Sequence, residues 1–157
     1  MTPEKDSVLC AKYPKIFRDR FASPQETAMC WGFACGDGWY DIIDVLCGEI
    51  QHHVDYVLRQ QQFMFERGEI SEKVPEEQLQ VVATQVKEKF GALRFYYDGG
   101  DEWVRGVVDM AEAISARTCE MCGSSGKQTD TVWIRTLCPS CTAAWESQRF
   151  GVTRERT

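Results

Sequence analysis

Four cysteines stand as Cys119-x2-Cys122-x15-Cys138-x2-Cys141, two matched pairs near the end of a 157-residue chain. That spacing is the pattern of a tetrahedral four-cysteine zinc site. Two residues between ligands let one tight turn present both sulfurs to a single ion, and Gly123, directly after the second cysteine, can take the positive φ such a knuckle needs. Pro139 lies between Cys138 and Cys141 and is favoured at a first helical position, so CTAAWESQRF reads as a helix. Its start would aim bare N–H groups at the thiolates. Between the pairs, GSSGKQTDTVWIRT supplies turn residues and then a short β-prone run. Knuckle, hairpin and helix start together predict a treble-clef or zinc-ribbon finger. Sulfur fills all four coordination positions, so the predicted cofactor, one Zn²⁺ on Cys119, Cys122, Cys138 and Cys141, is structural and not catalytic. Structural zinc contributes on the order of 10–16 kcal/mol of apparent binding energy, more than the core of so short a segment supplies.

Other groups with chemical potential are less specific. Cys30, Cys35 and Cys47 with His52 or His53 offer ligand types for a second metal, although a thiol beside an apolar stripe ordinarily acts as a small buried hydrophobe. Asp37, Asp41 and Asp44 form the one carboxylate cluster, which helix capping and a solvated helix face also explain. A metal-dependent enzyme built on them would need a second divalent ion. No H-E-x-x-H, G-x-S-x-G or Walker loop is present, neither histidine has the glutamate of a zinc deaminase, and residues 119–157 contain no histidine. A non-enzymatic role is the expectation.

The elements that position these residues can be read from their periodicity. Trp39, Ile42, Ile43, Leu46, Ile50, Val54 and Val57 recur at helical spacing, with Asp37 a candidate N-cap, Gly68 a stop and Gly48 a place for a bend. In QLQVVATQVKEKFGALRFYYDGG, Leu79, Val82, Val86 and Phe90 fit a helical stripe, but the β-branched run and the alternation of Leu93, Phe95 and Tyr97 favour a hairpin turning at Gly91. A second helix follows Asp101 as its cap, with Val104, Val107, Val108, Ala111 and Ile114 inward. Residues 1–36, punctuated by Pro3, Pro14 and Pro24, read as irregular, with Tyr13, Ile16 and Phe17 tucked onto the body. The expected fold class is α+β: a small antiparallel sheet packed with two main helices. A main domain is predicted over residues 1–116 and a four-cysteine finger with a C-terminal helix over residues 117–157. Tyr96, Tyr97 and Trp103 flank a Gly-rich loop where they would pack or present a contact surface.

Charge restricts the partners. The net charge is −6, and its distribution is uneven: residues 1–118 hold 13 basic and 20 acidic side chains, residues 119–157 hold 5 and 4. Broad binding to a phosphate backbone needs clustered Lys and Arg. A nucleic-acid contact through the finger would use Lys127, Arg135 and Arg149. No apolar run suits a signal peptide or membrane span. Eight cysteines without such a signal are expected to be thiols of a reducing cytosol.

WGFACGDGWYDIID, QVKEKFGALRFYYDGG and RTCEMCG…TLCPSC, taken in order, resemble a family of small, mostly uncharacterised phage and prophage proteins with a C-terminal four-cysteine zinc motif. The likeness spans about residues 31–141 and does not extend to Cys30 and Cys47 as motif positions. It implies a phage accessory protein acting in the host cytosol and supplies no catalytic residue. The leading expectation is therefore a binding protein, an inhibitor of a host defence or regulatory complex. The alternatives are a nucleic-acid-binding regulator working through the finger and an enzyme using the acidic cluster.

Overall fold

A computed structural model describes the backbone of residues 1–151 and the side chains of residues 1–148. The fold is α+β. Helix α1 (Pro3–Lys12) opens the chain, a short 3-10 turn leads into strand β1 (Phe33–Ala34), and a second 3-10 turn (Asp37–Trp39) feeds helix α2 (Tyr40–Glu66). A single turn of helix, α3 (Glu76–Leu79), precedes β2 (Val82–Lys89) and β3 (Ala92–Asp98). Helix α4 (Glu102–Ser115), the strand pair β4 (Lys127–Gln128) and β5 (Thr136–Leu137), and α5 (Pro139–Gly151) complete the described residues.

The segment before residue 36 is more ordered than its prolines suggest. Pro3 occupies the first turn of α1, where its missing N–H costs nothing, and Glu4 and Asp6 lie at the positive end of that helix. Tyr13, Ile16 and Phe17 are buried as expected, and Leu9 from α1 joins them. Arg20 grips Asp6 with two nitrogens at 3.0 Å and donates to the Cys30 carbonyl at 2.8 Å, which fastens α1 to the loop ahead of β1. Strand β1 then adds a parallel partner to the predicted hairpin, Phe33 facing Val86, so the sheet is three-stranded in the order β1-β2-β3.

Helix α2 runs unbroken through Gly48, where a Cβ would sit 3.2 Å from the Tyr13 hydroxyl oxygen. Asp37 is not its N-cap; the 3-10 turn intervenes, and the Asp37 carboxylate accepts from the Thr2 N–H at 2.7 Å. Trp39, Ile43, Leu46, Ile50 and Val54 are buried, with Ile42 and Val57 half-buried. At about 1.5 Å per residue the helix is about 40 Å long, and its last buried residue is Val54, so its C-terminal turns run past the core. There the Gln61 side-chain amide both donates to the Val74 carbonyl and accepts from the Val74 N–H, each at 2.9 Å.

Helix α4 is capped by Asp101, whose carboxylate accepts from the N–H groups of Trp103 and Val104. Val104, Val108 and Ala111 join Val86, Leu93, Phe95 and the α2 residues in one core. Ile114, expected inward, is instead 47% exposed; Ser115 takes the buried position and donates to the Glu112 carbonyl. The same two residues close the outer edge of β3. The Leu93 N–H donates to Ser115 Oγ at 2.8 Å and the Phe95 N–H to Glu112 Oε1 at 3.0 Å, so the edge is not left open for pairing.

The hairpin turn is two residues long, with Lys89 opposite Ala92 and both central residues at positive φ, Phe90 at 53° and Gly91 at 75°. That is the requirement of a type I′ turn, in which Asn-Gly is preferred. An L-residue with a Cβ is penalised by about 1–2 kcal/mol in this region, and Phe90, 67% exposed, recovers little by burial. Phe90→Asn is therefore expected to stabilise the protein by about 1 kcal/mol, read as a higher urea midpoint; an unchanged or lower midpoint would show that the ring contributes more than the strain costs.

Candidate metal centre

The four cysteines come together. Their sulfurs all lie within 4.8 Å of one another, forming a compact group fit for a metal ion. Sulfurs about 2.3 Å from a tetrahedral ion stand about 3.8 Å apart, and the Cys122–Cys138 separation is 3.6 Å. Each pair is placed by local backbone structure. The Gly123 N–H donates to the Cys119 carbonyl at 2.9 Å and the Cys119 N–H to the Ser124 carbonyl at 2.7 Å, with Gly123 at φ 79°, which closes the first knuckle. Helix α5 starts at Pro139, and the Cys141 N–H points at the Cys138 sulfur, 3.5 Å away. The Ser140 hydroxyl and that N–H hold the Cys138 thiol down, at about 6, by donating to its sulfur. Cys119 and Cys138 are buried, and with Leu137 they form a small second core on which Cys141 and Trp145 pack.

The knuckle is also a docking surface for the body of the protein. The Gly38 N–H donates to the Glu120 carbonyl at 2.8 Å, and the buried Trp39 donates through Nε1 to the Thr118 carbonyl at 2.8 Å. The approach is too close for a side chain: a Cβ on Gly38 would stand 2.2 Å from the Cys119 carbonyl oxygen, and one on Gly36 2.3 Å from that of Glu120. Glu120, 5% exposed, accepts from the Gly36 N–H at 3.0 Å and from Arg135 at 2.8 Å. On the other side Thr136 Oγ1 donates to the Gly91 carbonyl, and Gln128 reaches the Phe90 carbonyl at 3.2 Å. Thus CGDGW and KFG hold the four-cysteine segment in place. Sequence reasoning misses Glu120; an acid between two ligand cysteines, with an arginine just ahead of the second pair, is the only signal it leaves.

The remaining candidates are dispersed. Among the described residues, no other three His, Cys, Asp or Glu side chains converge as a metal site. Cys35 is pushed up to about 12 by burial, and Cys47, fully buried, is pushed up for the same reason. His53 faces Asp101 at 2.8 Å and stacks on Trp103 at 4.2 Å, while His52 is exposed. Asp44, although partly desolvated, is held below the usual carboxylate range by Lys12 and the Tyr13 hydroxyl; Asp37 is held low by the Thr2 N–H. Asp41 stands apart from both, on the rim of a groove between α2 and α4. Arg135, a residue of the alternative nucleic-acid reading, forms an ion pair with Glu120. Lys127 is exposed on β4, and the Arg149 side chain lies outside the described residues.

Comparison of the chain with protein-family models, with curated proteins and with solved structures finds no match in any of the three. No described helix is long and apolar enough to cross a membrane.

Two substitutions probe the centre. Cys138→Ser should lower the metal content and open the segment from residue 119 onward to protease; full metal stoichiometry in that variant would show the ligand set to be wrong. Gly38→Ala should cost at least about 2 kcal/mol in a urea melt of the metal-loaded protein, through a clash with backbone and the loss of buried hydrogen bonds. Gly106→Ala on α4, where a Cβ meets nothing within 4 Å, should instead gain up to about 1 kcal/mol, and equal effects at the two sites would refute the docking contact.

Proposed function

We propose that this chain is a zinc-stapled binding protein, a phage-type accessory protein of the host cytosol that acts by occupying a basic host protein and blocking it. The metal is zinc, because four thiolates at tetrahedral separation suit that ion and leave no open position for a reacting group. The segment around it is a treble-clef or zinc-ribbon finger: knuckle, short strand pair, then a helix starting at the second cysteine pair. The metal's role is to hold the chain's C-terminal part against the body.

The observation that carries the binding role is the excess of acid in residues 1–118, 20 against 13 basic side chains. An acidic surface steers toward a basic one and competes for sites that otherwise receive phosphates. The target class is therefore a protein of a host defence or regulatory complex that handles nucleic acid. The rival reading, a nucleic-acid-binding regulator, rests on Lys127, Arg135 and Arg149, of which Arg135 is already engaged in an ion pair with Glu120.

Capture from host lysate tests the reading. The bound chain should retain a basic, nucleic-acid-handling protein whose affinity falls as salt rises, and metal analysis should return one zinc per chain. Salt-insensitive or absent capture would overturn the inhibitor reading, and a mobility shift of DNA or RNA at low salt would replace it with the rival. Iron in place of zinc would overturn the metal assignment alone.

A further inference from the structure

We infer that the groove between α2 and α4 is a docking site for a basic amphipathic helix of the partner protein. The inference rests on the binding role proposed above and names the surface that performs it. The two helices lie side by side, His53 meeting Trp103. Beyond that contact they leave an apolar groove of about 280 Å³, lined by Ile42, Val45 and Leu46 from α2 and by Val107, Met110 and Ile114 from α4.

These residues are not all spoken for by the core. Val45 is 64% exposed, Met110 59% and Ile114 47%, in one contiguous patch. Such a patch on a polar surface marks a place where another molecule packs. The two rows have helical periodicity, Ile42, Val45 and Leu46 on one side and Val107, Met110 and Ile114 on the other. Seven residues of α4 span about 10 Å, two turns. A third helix that places apolar side chains at i, i+3 or i+4, and i+7 fits that span.

Charge selects the occupant. Asp41 and Glu49 line the groove on the α2 side, eight residues and about 12 Å apart along the helix. Among the described residues neither forms an ion pair and no cation lines the groove. An apolar floor with a carboxylate toward either end is the complement of a helix with aliphatic anchors and flanking Lys or Arg. A second copy of this chain would add its own Asp41 and Glu49 to the same interface, like charge to like. An anionic lipid surface meets the same opposition from a chain of net charge −6.

The test uses the full, metal-loaded chain and two labelled synthetic peptides of about fourteen residues, long enough to hold a helix when bound. One is composed of Leu and Lys in amphipathic order, the other of Leu and Glu in the same order. Fluorescence anisotropy should show binding of the Leu/Lys peptide and none of the Leu/Glu peptide. The double variant Val45→Gln/Met110→Gln, which preserves charge, should weaken binding by at least about tenfold through reduced apolar burial. Asp41→Lys/Glu49→Lys should weaken it similarly and admit the Leu/Glu peptide. The same charge change made away from the groove, Glu72→Lys/Glu77→Lys, should cost less than about threefold, the effect of screened distant charge. Circular dichroism melts verify that each variant is folded.

Equal binding of both peptides, no binding of either, native affinity in the groove variants, or an equal loss from the remote pair would each overturn the proposal. A concentration-dependent dimer abolished by Met110→Gln would overturn it in favour of a second copy. Its failure separates from that of the binding role: lysate capture that persists in the groove variants removes the groove alone, whereas peptide binding without any captured host protein removes the host target and leaves the groove.

Discussion

The contact on which the rest of the molecule depends is the backbone-to-backbone approach of Gly36 and Gly38 to the first metal knuckle. No side chain fits between them, and the Gly38 N–H and the Trp39 indole N–H are consumed by carbonyls of Glu120 and Thr118. A buried hydrogen bond contributes about 1 kcal/mol net, but an orphaned partner costs about 1–3 kcal/mol, so prising the two surfaces apart without admitting water costs more than those hydrogen bonds contribute. Trp39 is also the first large residue of the α2 core stripe. Folding of the metal segment and alignment of the main helix are thereby coupled: one indole ring serves the core with its carbon face and the knuckle with its nitrogen.

The two arginine–carboxylate pairs of the interior follow the same logic of fastening. Arg20 with Asp6 ties the first helix to the loop before β1, and Arg135 with Glu120 ties the strand pair of the metal segment to the knuckle. Glu112 takes Arg94 and a strand-edge N–H, and Asp44 takes Lys12 and Tyr13. These acids are structural, and their charge is largely answered where it lies. What an approaching molecule meets is the remainder, including the groove carboxylates Asp41 and Glu49, which have no ion-pair partner among the described residues. Net charge alone does not separate those two populations; the map of partners does.

Much of this was legible in the sequence, for identifiable reasons. Cysteine spacing predicts the convergence of the four thiols into a group that could hold a metal, because few other needs place them so. Alternation in Leu93, Phe95 and Tyr97 and the glycine after Phe90 marked the hairpin, and Asp101 before an apolar-periodic run marked its helix. The failures are equally physical. Helix α1 is short and rich in charge, with only Leu9 fully buried, so it carries little periodic signal. Strand β1 is two residues long and pairs with a partner more than fifty positions away. Ile114 reads as core from its type and spacing, but the helix turns Ser115 inward to serve the strand edge, a demand set by the neighbouring element and invisible in α4 itself.

The far end of α2 behaves differently from its beginning. Past Val54 the helix is held by half-covered aliphatic carbons and by two glutamines, Gln61, whose amide imitates a peptide group toward Val74, and Gln62, which accepts from Lys73. Opening those last turns exposes little oil to water, so local melting there is cheap compared with unravelling the other end, which is anchored by an indole and the cysteine knuckle. The longest rod in the molecule is thus stiff at its root and soft at its tip. Backbone amides near Gln61 will trade their protons with solvent long before those near Leu46, and a proteolytic nick in the strap after Gly68 would leave the core standing.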